Sequence, residues 1–247
     1  MPSRKDALSL LQEWVKSESL RKHCLSVATA MEGYGKKYLD EGKIDIDSLI
    51  RPHNNTKQLS DKYQEGIISN NNLDINDKTT NNQLLKGGID DKGNLSEQEK
   101  QAILDKYWIT GLLHDFDYEK YPDINVHPKP GCEELKKLGY EEEIINAILG
   151  HNNKTGVKRE NLMAKTLFSV DELCGLIVAL AYVRPGNLEG MSSQSIKKAM
   201  KKKDFAAAIN REDIKQGIIE LGINENEHFE TIIKALSERK ELRNNGS

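Results

Sequence analysis

Apolar residues recur at helical spacing along most of this chain, and no segment sustains the every-second-residue alternation of a half-buried strand. Leu8, Leu11, Trp14 and Val15 share one face, and Leu20, Cys24, Val27, Ala28 and Met31 share another. The pattern stops at about 41 and resumes at 96, where Ser96 and Glu99 form a capping box. Between these points the chain is Asn-rich, with Asn54-Asn55, Asn70-Asn71-Asn72 and Asn81-Asn82. Such a segment buries too little apolar surface to offset its ordering entropy. The expectation is an all-α domain over 1–247, interrupted by a low-complexity, disordered insertion at 41–94 with a short helix near 60–68.

Past the capping box, a helix runs through Ile103, Leu104, Tyr107, Trp108, Gly111 and Leu112 into His114-Asp115-Phe116-Asp117. Pro122, Pro128 and Pro130 then impose a loop. Two short helices at 131–138 and 141–151 flank a Gly139-Tyr140 turn, and 152–156 reads as another loop. The most apolar helix spans about 164–183 and stops before Arg184-Pro185-Gly186. The remainder, 193–243, reads as three accessory helices, the first basic at Lys197, Lys198 and Lys201 to Lys203.

Composition excludes several classes. The hydrophobic fraction is 37%, low for a chain packed throughout, and charged residues make up 30%. With 36 basic and 39 acidic residues the net charge is −3, which argues against stable nucleic-acid binding through counterion release. No run of ~18 apolar residues is present to span a membrane, and Met1 to Arg4 leads into a mixed segment, not a secretory h-region. Cys24, Cys132 and Cys174 are odd in number and lack a CxxC spacing. They read as free thiols of a reducing compartment, so a cytoplasmic protein is expected.

Chemistry concentrates where solvated residues should not be. His23 lies on the apolar stripe of its helix, three after Leu20 and four before Val27. His114 is seven after Tyr107, with Asp115 beside it, and His151 is three after Ile148. Asp171 falls among Leu167, Val170, Cys174, Ile177, Val178 and Ala181. A carboxylate there is costly unless hydrogen-bonded, paired or metal-bound. Each residue taken singly has an ordinary structural explanation. Together they place an inward imidazole or carboxylate on four helices, and one shared cation of the Fe, Mn, Zn or Ni type satisfies them all.

The ordered set His23, His114-Asp115, Asp171, with Gly111-Leu112-Leu113-His114-Asp115 at a helix end, resembles the signature of the HD-domain superfamily of metal-dependent phosphohydrolases. His127-Pro128-x-x-Gly131 resembles the HPxxG stretch of members that carry two metals, and His151 follows as the next ligand does there. The resemblance implies an HD-type helical bundle and two divalent transition metals, iron or manganese first and zinc, nickel, cobalt or magnesium after them. Asp115 would bridge the pair, with His23, His114 and Asp171 on one ion and His127 and His151 on the other. A water or hydroxide between the ions would attack a nucleotide or other small phosphate ester. The chain departs from the cyclic-dinucleotide branch: Phe116-Asp117-Tyr118-Glu119 follows Asp115, and no Gly-Tyr-Pro appears at the expected place. It is similar to small stand-alone HD hydrolases with HDFDYE and a later VRP. Further catalytic candidates are Asp117, as a group orienting a ligand or shuttling a proton, and Lys129 and Arg184 as phosphate contacts, with Lys120 and the Lys197–Lys203 cluster behind them. Two other readings stay open: a mixed-valent di-iron oxygenase on the same ligands, and a non-catalytic metal-binding module with its coordination saturated by protein.

Overall fold

Several helix starts in this protein coincide with side chains that take up orphan N–H groups, although those at Lys129 and Glu142 have no side-chain cap. The computed structural model describes residues 1–44 and 95–239, so the Asn-rich stretch and its expected helix near 60–68 lie almost wholly outside the described residues. Ser3 and Asp6 close a capping box on α1 (Arg4–Trp14). α2 is Glu18–Asp40, and α3, Glu97–Leu113, opens on the Ser96–Glu99 box. Next come α4 (Lys129–Lys137) and α5 (Glu142–His151). Asn161 caps α6 (Leu162–Tyr182) by accepting from the Ala164 N–H at 2.9 Å. α7 (Ser193–Lys201), α8 (Arg211–Leu221, capped by Asn210) and α9 (Glu225–Glu238, capped by Asn224) complete the chain. Among the described residues these are nine α-helices with no strand. The all-α expectation holds.

The first forty residues, whose spacing reads as helix throughout, divide in two, because α1 ends at Trp14 and Val15 is extended. The 152–156 loop contains a 3-10 turn, Asn153–Thr155.

The chain forms two compact units: Met1–Lys37 with Gln101–Ser247, and Tyr38–Lys100. In the second, described residues show Gly42 in the left-handed region after α2 and a Lys43–Glu41 ion pair. In the first, α6 is central, packing on α5, α7, α8 and α9. Its Leu167, Val170, Leu173, Cys174, Leu176 and Ile177 are fully buried. Each fully buried aliphatic side chain contributes ~1.5–3 kcal/mol, and this packing fixes the helix that carries Asp171. α2 and α3 approach closely at Gly111, where a β-carbon would lie 2.7 Å from Ala28 Cα. That contact brings the end of α3 against the face of α2 that carries His23.

Candidate metal centre

Six side chains from five stretches of chain converge in the first unit. His23 comes from α2, Asp171 from α6, and His151 ends α5. His114 and Asp115 follow the last residue of α3, and His127 precedes α4. Two groups result, each with ligand atoms within 4.8 Å of one another: His23, His114, Asp171, and Asp115, His127, His151.

In the first group, His23 Nε2 lies 3.2 Å from His114 Nε2 and 3.0 Å from Asp171 Oδ1. His114 Nε2 lies 3.3 Å from that same oxygen. In the second, His127 Nε2 and His151 Nε2 are 3.1 Å apart. They lie 3.0 and 3.3 Å from Asp115 Oδ1. The other oxygen, Asp115 Oδ2, is 3.4 Å from His114 Nε2 and 3.8 Å from His23 Nε2. One carboxylate therefore presents one oxygen to each group.

The ring nitrogens facing away fix the tautomers. His114 Nδ1 donates to the Gly111 carbonyl at 2.8 Å, and His151 Nδ1 donates to the Ile148 carbonyl. His127 Nδ1 donates to Asp117 Oδ1 at 2.6 Å, while Asp117 Oδ2 accepts the Gly131 N–H at 2.9 Å. With Nδ1 protonated, each neutral ring aims an Nε2 lone pair at its neighbours. Two lone pairs 3.1 Å apart in a buried place repel unless a proton or a cation lies between. Donors bonded at ~2.0–2.2 Å to one ion are ~3 Å apart at right angles and ~3.4 Å apart at tetrahedral angles. The separations within each group, 3.0–3.3 Å, fall in that range, so each group could hold a metal ion.

Charge tells the same story. Burial opposes a charged His114, yet the carboxylates of Asp115 and Asp171 outweigh it and hold the imidazole well above its ordinary value. For His127, burial is again overcome by hydrogen bonds that the ring donates to Asp115 and Asp117, and its pKa is pushed up to about 9. Burial would raise Asp115 and Asp171, but neighbouring His114 reverses it and keeps both well below the carboxylate range. The metal-free site thus holds protons where cations would bind.

Among the further candidates, Asp117 is fully buried behind His127. A β-carbon at Gly131 would sit 2.7 Å from Asp117 Cγ, so only glycine lets α4 begin against this carboxylate. Lys129 is exposed and, among the described residues, makes no ion pair or hydrogen bond with the six. Arg184, expected at the pocket, instead faces its own loop. It donates to the carbonyls of Asn187 (3.2 Å) and Glu189 (3.1 Å) and to Ser195 Oγ (3.4 Å), all in the stretch that follows α6, which ends at Tyr182. Lys120 lies over the Trp14 ring at 3.3 Å. Within the basic cluster, Lys197 pairs with Glu225 at 2.9 Å.

Sequence reasoning did not find Asn152, Arg159 or His228. Asn152, next to His151, is buried and donates to the His127 carbonyl at 2.6 Å. Arg159 donates to the Gly150 carbonyl. His228 is buried between Tyr34 and the Ser169 carbonyl. The signal that could have found the last is its spacing from Ile232 and Leu236, four and eight residues on and likewise buried. The first two sit in aperiodic sequence, where no stripe marks an inward side chain.

Comparison with known families supports this reading for part of the chain. Residues 91–181 match the HD domain, a span that takes in five of the six residues and leaves out His23. The match supports HD-superfamily membership, a superfamily of the metal-dependent phosphohydrolase type. No curated protein and no solved structure matches the chain.

Proposed function

We propose that this protein is a metal-dependent phosphohydrolase that uses two divalent transition-metal ions, iron or manganese, on a nucleotide or another small phosphate ester. The observation that carries the reading is the division of Asp115: its two oxygens face two separate histidine groups, as a bridging ligand requires. His23, His114 and Asp171 would hold one ion, His127 and His151 the other, and Asp115 both. Bound there, the ions would supply Lewis acidity and lower the pKa of water toward ~7.

The remaining steps fall to the chain. The Nδ1 bonds to Gly111, Asp117 and Ile148 orient three rings before any ligand arrives. Asp117 makes His127 a stronger donor by holding its far proton. The solvent-facing edge of the site is formed by His23, Asp115 and Asp171, with side chains 24%, 18% and 18% exposed, while His114 is fully buried. Substrate would enter on that edge. Lys129, exposed two residues past His127, is the cation we assign to the substrate phosphate; Arg184 would have to release its loop to serve. The His127–His151 group offers three protein donor atoms, fewer than the four of a closed structural site. This favours an enzyme over a saturated metal module.

The test is a panel of phosphorylated metabolites with Mn(II)- or Fe(II)-loaded protein, under argon and in air. Phosphate release in both atmospheres supports hydrolysis. Product that requires O₂, without phosphate release, would establish the oxygenase instead. Two bound ions with no turnover across the panel would favour the binding module.

A further inference from the structure

The end of α5 is closed almost entirely by side chains. The last carbonyls of a helix lack partners within it. Here three in succession are satisfied at four-residue spacing: Ile148 by His151 Nδ1, Leu149 by Thr155 Oγ1 (2.8 Å) and Gly150 by Arg159 (2.7 Å). Gly150 also makes room for this arginine, since a β-carbon there would lie 3.2 Å from Arg159 Cγ. The Arg159 guanidinium forks onto Glu220 of α8 at 2.6 and 2.7 Å and lies 3.7 Å over the Phe168 ring of α6. Asn152 spans the other direction. Its amide donates to the carbonyls of Ile124 (2.8 Å) and His127 (2.6 Å), while its oxygen accepts the Lys154 N–H at 2.8 Å.

These bonds join the backbones of the two histidines of one group. His127 lies in a loop and His151 at a helix end, 24 residues apart. Without Asn152, no side chain described above ties the His127 carbonyl to the α5 terminus. Without Arg159, the carbonyl next to His151 loses its donor and α5 loses its anchor to α6 and α8. In the other group, His23 and Asp171 sit within long helices, and His114 directly follows α3 and is held by its bond to the Gly111 carbonyl.

We propose that Asn152 and Arg159 are positioning residues that hold His127 and His151 as one ligand pair, and so set how tightly the second of two ions is retained. This rests on the two-ion reading above. Neither residue reaches the ions. Each acts by fixing the angle and separation of two Nε2 atoms that must meet one cation.

The test is Mn(II) titration of the whole chain by calorimetry, with metal content by mass spectrometry, for wild type, Asn152→Asp, Asn152→Ala and Arg159→Lys. Asn152→Asp keeps the oxygen facing Lys154 and removes both donors. Arg159→Lys keeps the charge and loses the fork. The second ion is expected to weaken by about 10–100-fold, the usual effect of removing an outer-shell partner, while the first stays within about twofold. Unchanged affinity for both ions in all three variants would overturn the clamp and leave the two-ion reading standing. Parallel loss of both ions would also overturn it, by showing general damage. Should Asn152→Ala fail to fold, Arg159→Lys decides by the same split. Wild-type protein that binds fewer than two ions would overturn the metal reading, and the clamp with it.

Discussion

Asp115 turns one carboxylate oxygen toward each histidine group. Asp115→Ala is expected to abolish retention of both ions and all turnover; a variant that keeps either would refute the bridging role, with metal content as the measurement. Protons and cations compete for the same nitrogens. The folded-state pKa values of His114 and His127 lie above the unfolded value of ~6.5, so in metal-free protein their charged pairing stabilises the fold fully below that value. That stability is lost as pH rises, for His127 through about 9. Melting in chelator should therefore fall between about pH 6.5 and 9, and the stabilisation by Mn(II) should grow over the same window. A metal effect that is flat across it would contradict proton displacement. His228 has the opposite sign. Burial lowers it to about 4, so its contribution is present above ~6.5 and lost as pH falls through about 4. His228→Gln should blunt the acid limb of the melting profile without changing metal content.

At the scale of elements, the site is a problem of helix approach. Gly111 lets α3 touch α2 at backbone distance, and Gly131 lets α4 start against Asp117. Gly111→Ala places a carbon 2.7 Å from Ala28 Cα, which side-chain rotation cannot relieve. It is expected to destabilise by ~1–3 kcal/mol and to weaken the ion held by His23 and His114 more than the other. Urea unfolding and metal titration check both parts. Helix periodicity was readable in advance because each stripe is a local pattern of 3.6 residues. The division at Val15 was not, because apolar spacing continues across the break. The bonds of Arg184 to its own loop were not legible for a related reason: extending the α6 stripe through 184 assumes a helix, and α6 ends at Tyr182.

Across the whole molecule, the candidate metal centre is assembled from both sides of the Asn-rich stretch, since His23 precedes it and the other five residues follow. Composition predicts that deleting about 46–84 leaves melting temperature and metal content nearly unchanged; a large loss of either would show that the stretch is structural. The sequence by itself determined the helical class and marked His23, His114, Asp171 and His151, because a polar group on an apolar stripe is visible from spacing alone. His127, and Asp115 as a proposed bridge, were legible only through resemblance to a family. Tertiary structure alone decided which oxygen faces which histidines, that Arg184 serves its own loop, and that Asn152 and Arg159 stand behind the second pair. Those facts depend on contacts between residues up to 148 positions apart, as between His23 and Asp171, and no local pattern encodes the distance between two side chains on different helices.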